Sequence, residues 1–360
     1  MIRLFHRYFC SALVLFSPLW ATPRYALESS TSCNLCHVKP GGGGLRNDYG
    51  ILFGLDDLTK IVPEKFKSYS GIILNHIRFG GDVRIQSISR EEGEVPRDLA
   101  VFPMQANLQL VYQKEGFAVQ SELALLRSDI GVQLNYYIKD NYIQAGKGKP
   151  VFGLQLADHT VFTRGGNMRL RNGENREGMP FSPLLKHVPF IAVGRYFGDG
   201  HFTAGFSQGY FSSVSRSFYA RGEHFGSLGQ LSRMMGVSYL TDTKNKNGLS
   251  MINIFGGLSG RKLSLLGEVT VAENLVEGRS YASYSELTWG MKKGFSLSGR
   301  IDFFDESILY TKDAIRRTTF GLNYVPFPFV DIKFQIRSTQ LSIEKASKGL
   351  EFLTQLHIWF

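Results

Sequence analysis

Apolar and polar residues alternate with a period of two through most of the chain, from residue 76 to its end. In the stretch VDIKFQIR, residues 330–337, every second side chain is apolar and those between are polar or charged. Alternation of this kind over about ten residues is typical of transmembrane β-barrels, whose strands turn apolar side chains to lipid and polar ones to the lumen. Soluble β-sandwiches also alternate, but their strands are usually shorter and they need fewer of them.

The pattern predicts about sixteen strands, and single-chain bacterial barrels have an even number. The predicted strands span residues 76–89, 104–113, 117–127, 131–138, 141–148, 188–197, 201–212, 217–225, 231–241, 249–258, 262–272, 280–291, 295–304, 316–325, 329–338 and 349–360. Tight turns alternate with longer connections, and the longer ones include residues 90–103, 149–187, 241–248, 272–280 and 304–315. This asymmetry is expected of periplasmic turns and external loops. The fold class is therefore mainly β, an outer-membrane antiparallel β-barrel of about sixteen strands with a small N-terminal segment.

Composition agrees with strands and tight turns, since the 360 residues include 39 glycines and 28 phenylalanines and only 20% are charged. No apolar run of 18 or more residues follows the N-terminal region, which excludes a helical membrane protein. The last residue, Phe360, is aromatic and shares a face with other apolar residues of the final predicted strand. Such an end is expected of a barrel recognised for outer-membrane assembly.

Residues 1–26 are expected to be a signal peptide. Arg3 and Arg7 give a basic start, an apolar stretch follows, and Ala21 or Ala26 offers a small residue for cleavage. Cleavage at Ala26 removes three arginines and lowers the formal net charge from +10 to about +7. An exported chain of this charge is not expected to bind nucleic acid.

Chemistry is concentrated in the stretch SSTSCNLCHVKPGGGG, residues 29–44. Cys33, Cys36 and His37 form C-x-x-C-H, the attachment signature of c-type haem, in which each thiol adds to a vinyl group and the histidine ligates the iron. A structural zinc site needs four ligands, and no second Cys or His pair is near. A thioredoxin-like motif needs a βαβ unit, which the pattern lacks.

The second axial ligand is not defined by the motif. His76 is the first histidine after it and lies at the start of the first predicted strand, so His76 is a candidate distal ligand and otherwise a strand residue. A five-coordinate iron is the other option. Residues 27–70 are too few to bury a core without a staple, and a covalent haem supplies one. Residues 71–360 then form the barrel.

The longest predicted loop, residues 149–187, carries four arginines, Arg164, Arg169, Arg171 and Arg176, beside three acidic residues. It is interpreted either as a loop folded into the pore as a constriction or as a solvated surface loop. His159 in this loop is a further candidate for a haem or metal ligand.

An export signal, one C-x-x-C-H segment and about sixteen barrel strands together resemble the fused outer-membrane cytochrome–porins, a family that includes outer-membrane iron oxidases. The resemblance implies one covalent haem c held by Cys33 and Cys36, with His37 as the proximal ligand. It also implies electron transfer across the outer membrane, with an extracellular donor such as Fe(II) and a periplasmic electron carrier. An even number of strands puts both ends of the chain on one side, so the haem segment is expected at the periplasmic side. No iron-binding residue carries over. A diffusion porin in which the haem segment is a plug, scaffold or sensor is the alternative.

Overall fold

Sixteen antiparallel strands close into one barrel. The computed structural model describes residues 23–92, 95–158, 160–166, 178–181, 186–209, 211, 214–243, 248–310, 314–341 and 347–360. Strands β2 to β17 each pair with the strands before and after them, and β17 pairs with β2, so the sheet has no free edge. The predicted fold class is confirmed.

The strands carry the following bounds. They are β1 (Ile72–Leu74), β2 (Ile77–Glu92), β3 (Val95–Lys114), β4 (Phe117–Ala124), β5 (Asp129–Ile138), β6 (Asn141–Gly148), β7 (Val188–Phe197), β8 (Gly200–Gln208), β9 (Arg216–Leu228), β10 (Leu231–Asp242), β11 (Leu249–Gly260), β12 (Leu263–Glu273), β13 (Arg279–Lys292), β14 (Phe295–Asp305), β15 (Ile315–Tyr324), β16 (Val330–Leu341) and β17 (Ser347–Trp359). The short β1 only pairs with the start of β2.

Each of the sixteen predicted strands corresponds to one strand from β2 to β17. The connection predicted at 90–103 is wrong, because β2 and β3 continue through it as a long hairpin. In the structure Pro103 pairs with Ile85 where the register shifts, and a proline is tolerated at such an irregularity because no ladder hydrogen bond is lost.

The strands bury polar side chains and expose apolar ones, which is the reverse of the pattern in a soluble protein. Along β5, Asp129, Gln133 and Asn135 face the lumen and are buried. The residues between them are apolar, and Ile130 and Tyr136 are 52% and 49% exposed on the outer face. Polar groups inside and apolar groups outside are what a barrel surrounded by lipid requires.

Residues 23–70 lie within the barrel and at one of its mouths. They include the helices α1 (Pro23–Glu28) and α2 (Asp48–Phe53), a π turn (Gly54–Leu58) and 3₁₀ turns at Cys33–Leu35 and Glu64–Phe66. Leu27 of α1 is fully buried against lumen-facing side chains such as Phe225 and Leu266. Among the described residues, no helix is long and apolar enough to cross a membrane.

The mouth that holds this segment is the one bounded by short turns. The backbone N–H groups of Lys60 and Ile61 donate to the carbonyls of Val325 and Pro326, in the turn between β15 and β16. Ile51 and Leu55 pack on Phe329 of the same turn. The N-terminal segment is therefore joined to the barrel wall at this end.

Candidate haem site

The C-x-x-C-H motif forms a compact turn inside the barrel. Cys33–Leu35 is one turn of 3₁₀ helix, and the N–H groups of Cys36 and His37 donate to the Cys33 carbonyl over 3.3 and 3.1 Å. The turn places both thiols and the imidazole on one small unit. Both cysteines are free and half-buried.

The glycine run and Asn47 fold back on this turn. Gly42 has a φ of +79°, and a Cβ there would lie 2.6 Å from the Cβ of Cys33, so the close approach requires glycine. The Asn47 side chain donates to the carbonyls of Asn34 and Leu35 and accepts the N–H of Gly50, which caps α2. Residues 33–53 thus form one folded unit around the motif.

A backbone carbonyl holds one nitrogen of the His37 ring. Its Nδ1 lies 3.3 Å from the carbonyl oxygen of Gly44, and a ligating histidine ordinarily donates its other ring N–H to such a group. That hydrogen bond leaves Nε2 for a metal. Burial and the nearby Arg46 cation lower the pKa of His37 to about 4, so the imidazole is neutral, as a ligand must be.

Cys33, Cys36 and His37 line one internal cavity. Its empty space is about 2270 Å³, including the part open to solvent. Apolar side chains beside the motif include Leu35, Leu45, Phe53, Trp359 and Phe360. Burial raises the pKa of the Cys33 thiol to about 12 and also raises that of Cys36. Two vinyl-reactive thiols, a neutral imidazole and apolar walls around one space fit a covalently attached haem.

The barrel wall contacts the motif directly. The Tyr137 hydroxyl donates to the Val38 carbonyl over 3.1 Å, and Val38 packs with Leu45, Val111 and Ala118. On the side of β17, the Arg46 guanidinium stacks over the Trp359 ring, 3.1 Å from its centroid. The orientation of the motif in the lumen is therefore set by the wall as well as by its own turn.

The connection between β6 and β7 also lines the cavity. Its described residues lie inside the barrel, where Phe152 and Phe162 are fully buried. Arg164 is almost fully buried and donates from Nη2 to Glu268 Oε2 of β12 over 2.7 Å. Of the two interpretations of this loop, the inward fold is the one found in its described part. His159 lies outside the described residues, as do Arg169, Arg171 and Arg176.

Arginines of the far wall bind the same loop. Arg300 Nη1 of β14 lies 2.8 Å from Asp158 Oδ2, and Arg317 Nη1 of β15 donates to the Thr160 carbonyl over 2.8 Å. Arg337 Nη2 of β16 donates to the Thr160 hydroxyl over 2.6 Å. Three neighbouring strands thus hold the loop across the lumen.

The structure does not bring His76 to His37. His76 lies in the turn between β1 and β2, with a φ of +67°, and is exposed. Its ring is edge-on to Tyr112, whose side chain is exposed on the outer face of β3. It does not line the motif cavity. His76 is the first histidine after the motif in the sequence, but the turn between β1 and β2 directs its ring away from the lumen.

Two other histidines and one methionine line the cavity. His187 Nδ1 lies 2.7 Å from Asp129 Oδ2, and His357 Nε2 lies 3.2 Å from Asp82 Oδ1. The methionine is Met234 of β10. Sequence reasoning did not select His357, although the alternation in the last strand places it on the face opposite the lipid side. His187 carried no such signal, because it lies in a connection.

No family model matches the chain, and no curated protein matches it. Among solved structures, Vibrio cholerae OmpT folded in vitro superimposes with a TM-score of 0.57 at 13% identity, covering 79% of this chain and 97% of OmpT. A porin refined at 1.8 Å gives 0.53 at 11% identity, with 79% and 100% coverage. Pseudomonas aeruginosa OccK1 (OpdK) gives 0.50 at 10% identity, with 80% and 99% coverage.

The fold is that of an outer-membrane porin. At these identities the likeness concerns the barrel alone. The cytochrome–porin resemblance comes from the sequence, and its only specific motif is Cys33–His37.

Proposed function

We propose that this chain is an outer-membrane electron-transfer protein, a porin-like barrel that carries one haem c in its lumen. The observation that carries the proposal is the position of the motif, whose two thiols and imidazole open to one cavity inside the barrel. When bound, the haem supplies a one-electron Fe(III)/Fe(II) couple. A redox group within the lumen is placed between the two sides of the membrane.

The residues around the cavity have distinct tasks in this proposal. Cys33 and Cys36 hold the haem as thioethers, and His37, oriented by the Gly44 carbonyl, binds the iron. Leu35, Trp359 and other apolar side chains reduce the access of water. His76 does not line the cavity, so the proposal does not use it as the distal ligand. That ligand is another cavity residue or the position is open.

Location and partners follow from the same arrangement. The apolar outer face supports insertion in the outer membrane, with lipid as a partner. The short-turn mouth that holds the N-terminal segment is assigned to the periplasm, where a soluble electron carrier exchanges electrons with the haem. An extracellular donor such as Fe(II) supplies electrons from the other side, which would make the activity oxidoreductase-like.

The test measures haem attachment first and electron entry second. Purified protein on a denaturing gel should give one haem-staining band, and Cys33→Ala with Cys36→Ala should abolish the stain while the barrel still folds. In proteoliposomes, a membrane-impermeant reductant added on the long-loop side should then reduce the haem. Haem that acid–acetone extracts from the parent would refute the covalent attachment.

The second candidate is a diffusion porin in which the haem segment is a plug, scaffold or sensor. It is favoured by the cavity, which is partly open to solvent, and by the strand number, since barrels of this size leave an aqueous channel unless something fills it. The N-terminal segment and the connection between β6 and β7 both fold into the lumen beside the cavity, which favours the electron-transfer protein. A large, steady conductance of the haem-loaded protein in a planar bilayer would favour the porin.

A further inference from the structure

The cations that line the motif cavity divide into two groups. Seven basic side chains line it, and five of these face an acidic partner: Arg84 with Asp82, Lys147 with Asp129, Lys149 with Glu122, Arg164 with Glu268 and Arg221 with Glu223. The other two are Lys39 and Arg46. Among the described residues, neither has a hydrogen bond or ion pair from its side-chain nitrogens. These two are also nearest to the motif in sequence.

Arg46 is placed next to the iron ligand. The backbones of His37 and Arg46 form an antiparallel bridge, which puts their side chains side by side on one face. Trp359, buried with Phe329, fixes the plane of the guanidinium by stacking beneath it. Arg46 is therefore oriented at the cavity wall and cannot be treated as a freely moving surface cation.

The neighbouring acid does not neutralise Arg46. Both carboxylate oxygens of Asp82 are engaged by Arg84, over 3.1 and 3.2 Å, and His357 also approaches one of them. Asp331 is the other acid near Arg46, and no ion pair joins it to Arg46 among the described residues; burial lowers the pKa of Arg46 to about 10, although both carboxylates oppose this shift. A half-buried cation of this kind stabilises a bound anion, because pairing offsets its desolvation.

The planar fork of an arginine suits a carboxylate, which it binds through two parallel hydrogen bonds. A haem carries two propionate carboxylates at the edge of its ring. We propose that Arg46 is a carboxylate-binding residue of the motif cavity and that its ligand is a propionate of the haem held by Cys33 and Cys36. This inference rests on the proposed function. Lys39, the second unpaired cation, lies on the same unit of chain and serves as a weaker point charge for the same purpose.

Arg46 would then tune the haem potential. A fixed positive charge beside the ring favours the reduced, less positive iron, so its removal favours the oxidised form. In haem-loaded Arg46→Gln we expect the ratio of reduced to oxidised haem, at the midpoint potential of the parent, to fall on the order of tenfold. Arg46→Lys should restore most of the ratio. Lys60→Gln is the matched control, because Lys60 is an exposed cation on the same segment, over the Phe295 ring.

The measurement is a spectroelectrochemical titration with infrared difference spectra of the carboxylate bands. A shift of the propionate bands in Arg46→Gln, together with the change in potential, is the expected result. Unchanged bands and an unchanged potential, in a variant that keeps its haem stain and heat-modifiable barrel migration, would overturn the proposal. Failure of the proposed function is distinguishable, since the parent itself would then lack covalent haem.

A free carboxylate solute is the other source of the same ligand chemistry. Succinate titrated calorimetrically into the haem-loaded parent should give no heat that depends on Arg46, because the propionate occupies the guanidinium. The haem-free Cys33→Ala, Cys36→Ala protein should bind succinate, and Arg46→Gln in that background should lose the binding. Succinate binding through Arg46 in the haem-loaded parent would overturn the propionate assignment.

Discussion

The Tyr137 hydroxyl, on the barrel wall, donates a 3.1 Å hydrogen bond to the carbonyl of Val38, the residue that follows His37 of the C-x-x-C-H motif. Val38 in turn donates its N–H to Leu45, which closes the loop beneath the motif. A side chain of β5 therefore fixes the height of the motif in the lumen. The N-terminal segment is held by the wall through a small number of such contacts.

Loss of this hydrogen bond should loosen the motif without affecting the barrel. A hydrogen bond of this type contributes about 1 kcal/mol, so in Tyr137→Phe we expect roughly fivefold faster hydrogen exchange of the Val38 amide. Tyr136→Phe is the control, because Tyr136 is 49% exposed on the outer face. Equal exchange in both variants would show that the contact does not hold the motif.

The facing of the strands predicts unequal tolerance to charge at neighbouring positions. Phe334 of β16 is 46% exposed on the lipid side, and Phe334→Arg should cost about 2–4 kcal/mol near the middle of the membrane. Gln335 faces the lumen and accepts a 2.9 Å hydrogen bond from Arg337. Gln335→Glu should therefore assemble normally. Heat-modifiable migration of the two variants measures this, and equal assembly would contradict the facing.

The strands could be predicted because lipid and lumen impose opposite demands on successive side chains. The predicted strand 217–225, for example, is present as β9. The connection predicted at 90–103 was wrong for a related reason. There β2 and β3 extend beyond the membrane, where lipid no longer requires apolar and polar side chains to alternate. The motif residues were identified from spacing, because attachment chemistry requires that spacing.

The surroundings of the motif could not be predicted. Arg46 and Trp359, or Tyr137 and Val38, are far apart in sequence and meet only because the segment lies inside the closed barrel. Proximity in sequence favoured His76, whereas the turn before β2 places it outside. Contacts across the lumen depend on closure of the barrel, and no local sequence pattern predicts which residues closure brings together.

The buried pair of Arg164 and Glu268 should control the inward loop. Glu268 also accepts the Leu154 N–H over 3.0 Å, so Glu268→Gln leaves a buried guanidinium without its counter-charge. Breaking a buried pair in this way costs about 3–5 kcal/mol. We expect faster proteolysis of the loop and a higher conductance of the variant in planar bilayers.

An exposed pair between the end of β12 and the start of β13 provides the control. Glu273 and Arg279 lie 2.9 Å apart, with side chains 49% and 63% exposed. Surface pairs of this kind contribute at most about 1 kcal/mol, so Glu273→Gln should behave as the parent. A loop that stays protected in Glu268→Gln would show that the other wall contacts suffice.

The position of α1 predicts where the signal peptide is removed. Cleavage after Ala26, the boundary first expected, would delete most of the helix and remove the hydrogen bond from Arg24 Nε to Ser264 Oγ, which spans 3.2 Å. It would also place a new ammonium group on Leu27, which is fully buried among apolar side chains. A charge without a partner at such a site is strongly unfavourable.

Cleavage after Ala21 keeps the helix intact and leaves the new terminus before Pro23. N-terminal sequencing of the mature protein should therefore begin at Thr22, and a sequence that begins at Leu27 would show that α1 is not part of the assembled barrel.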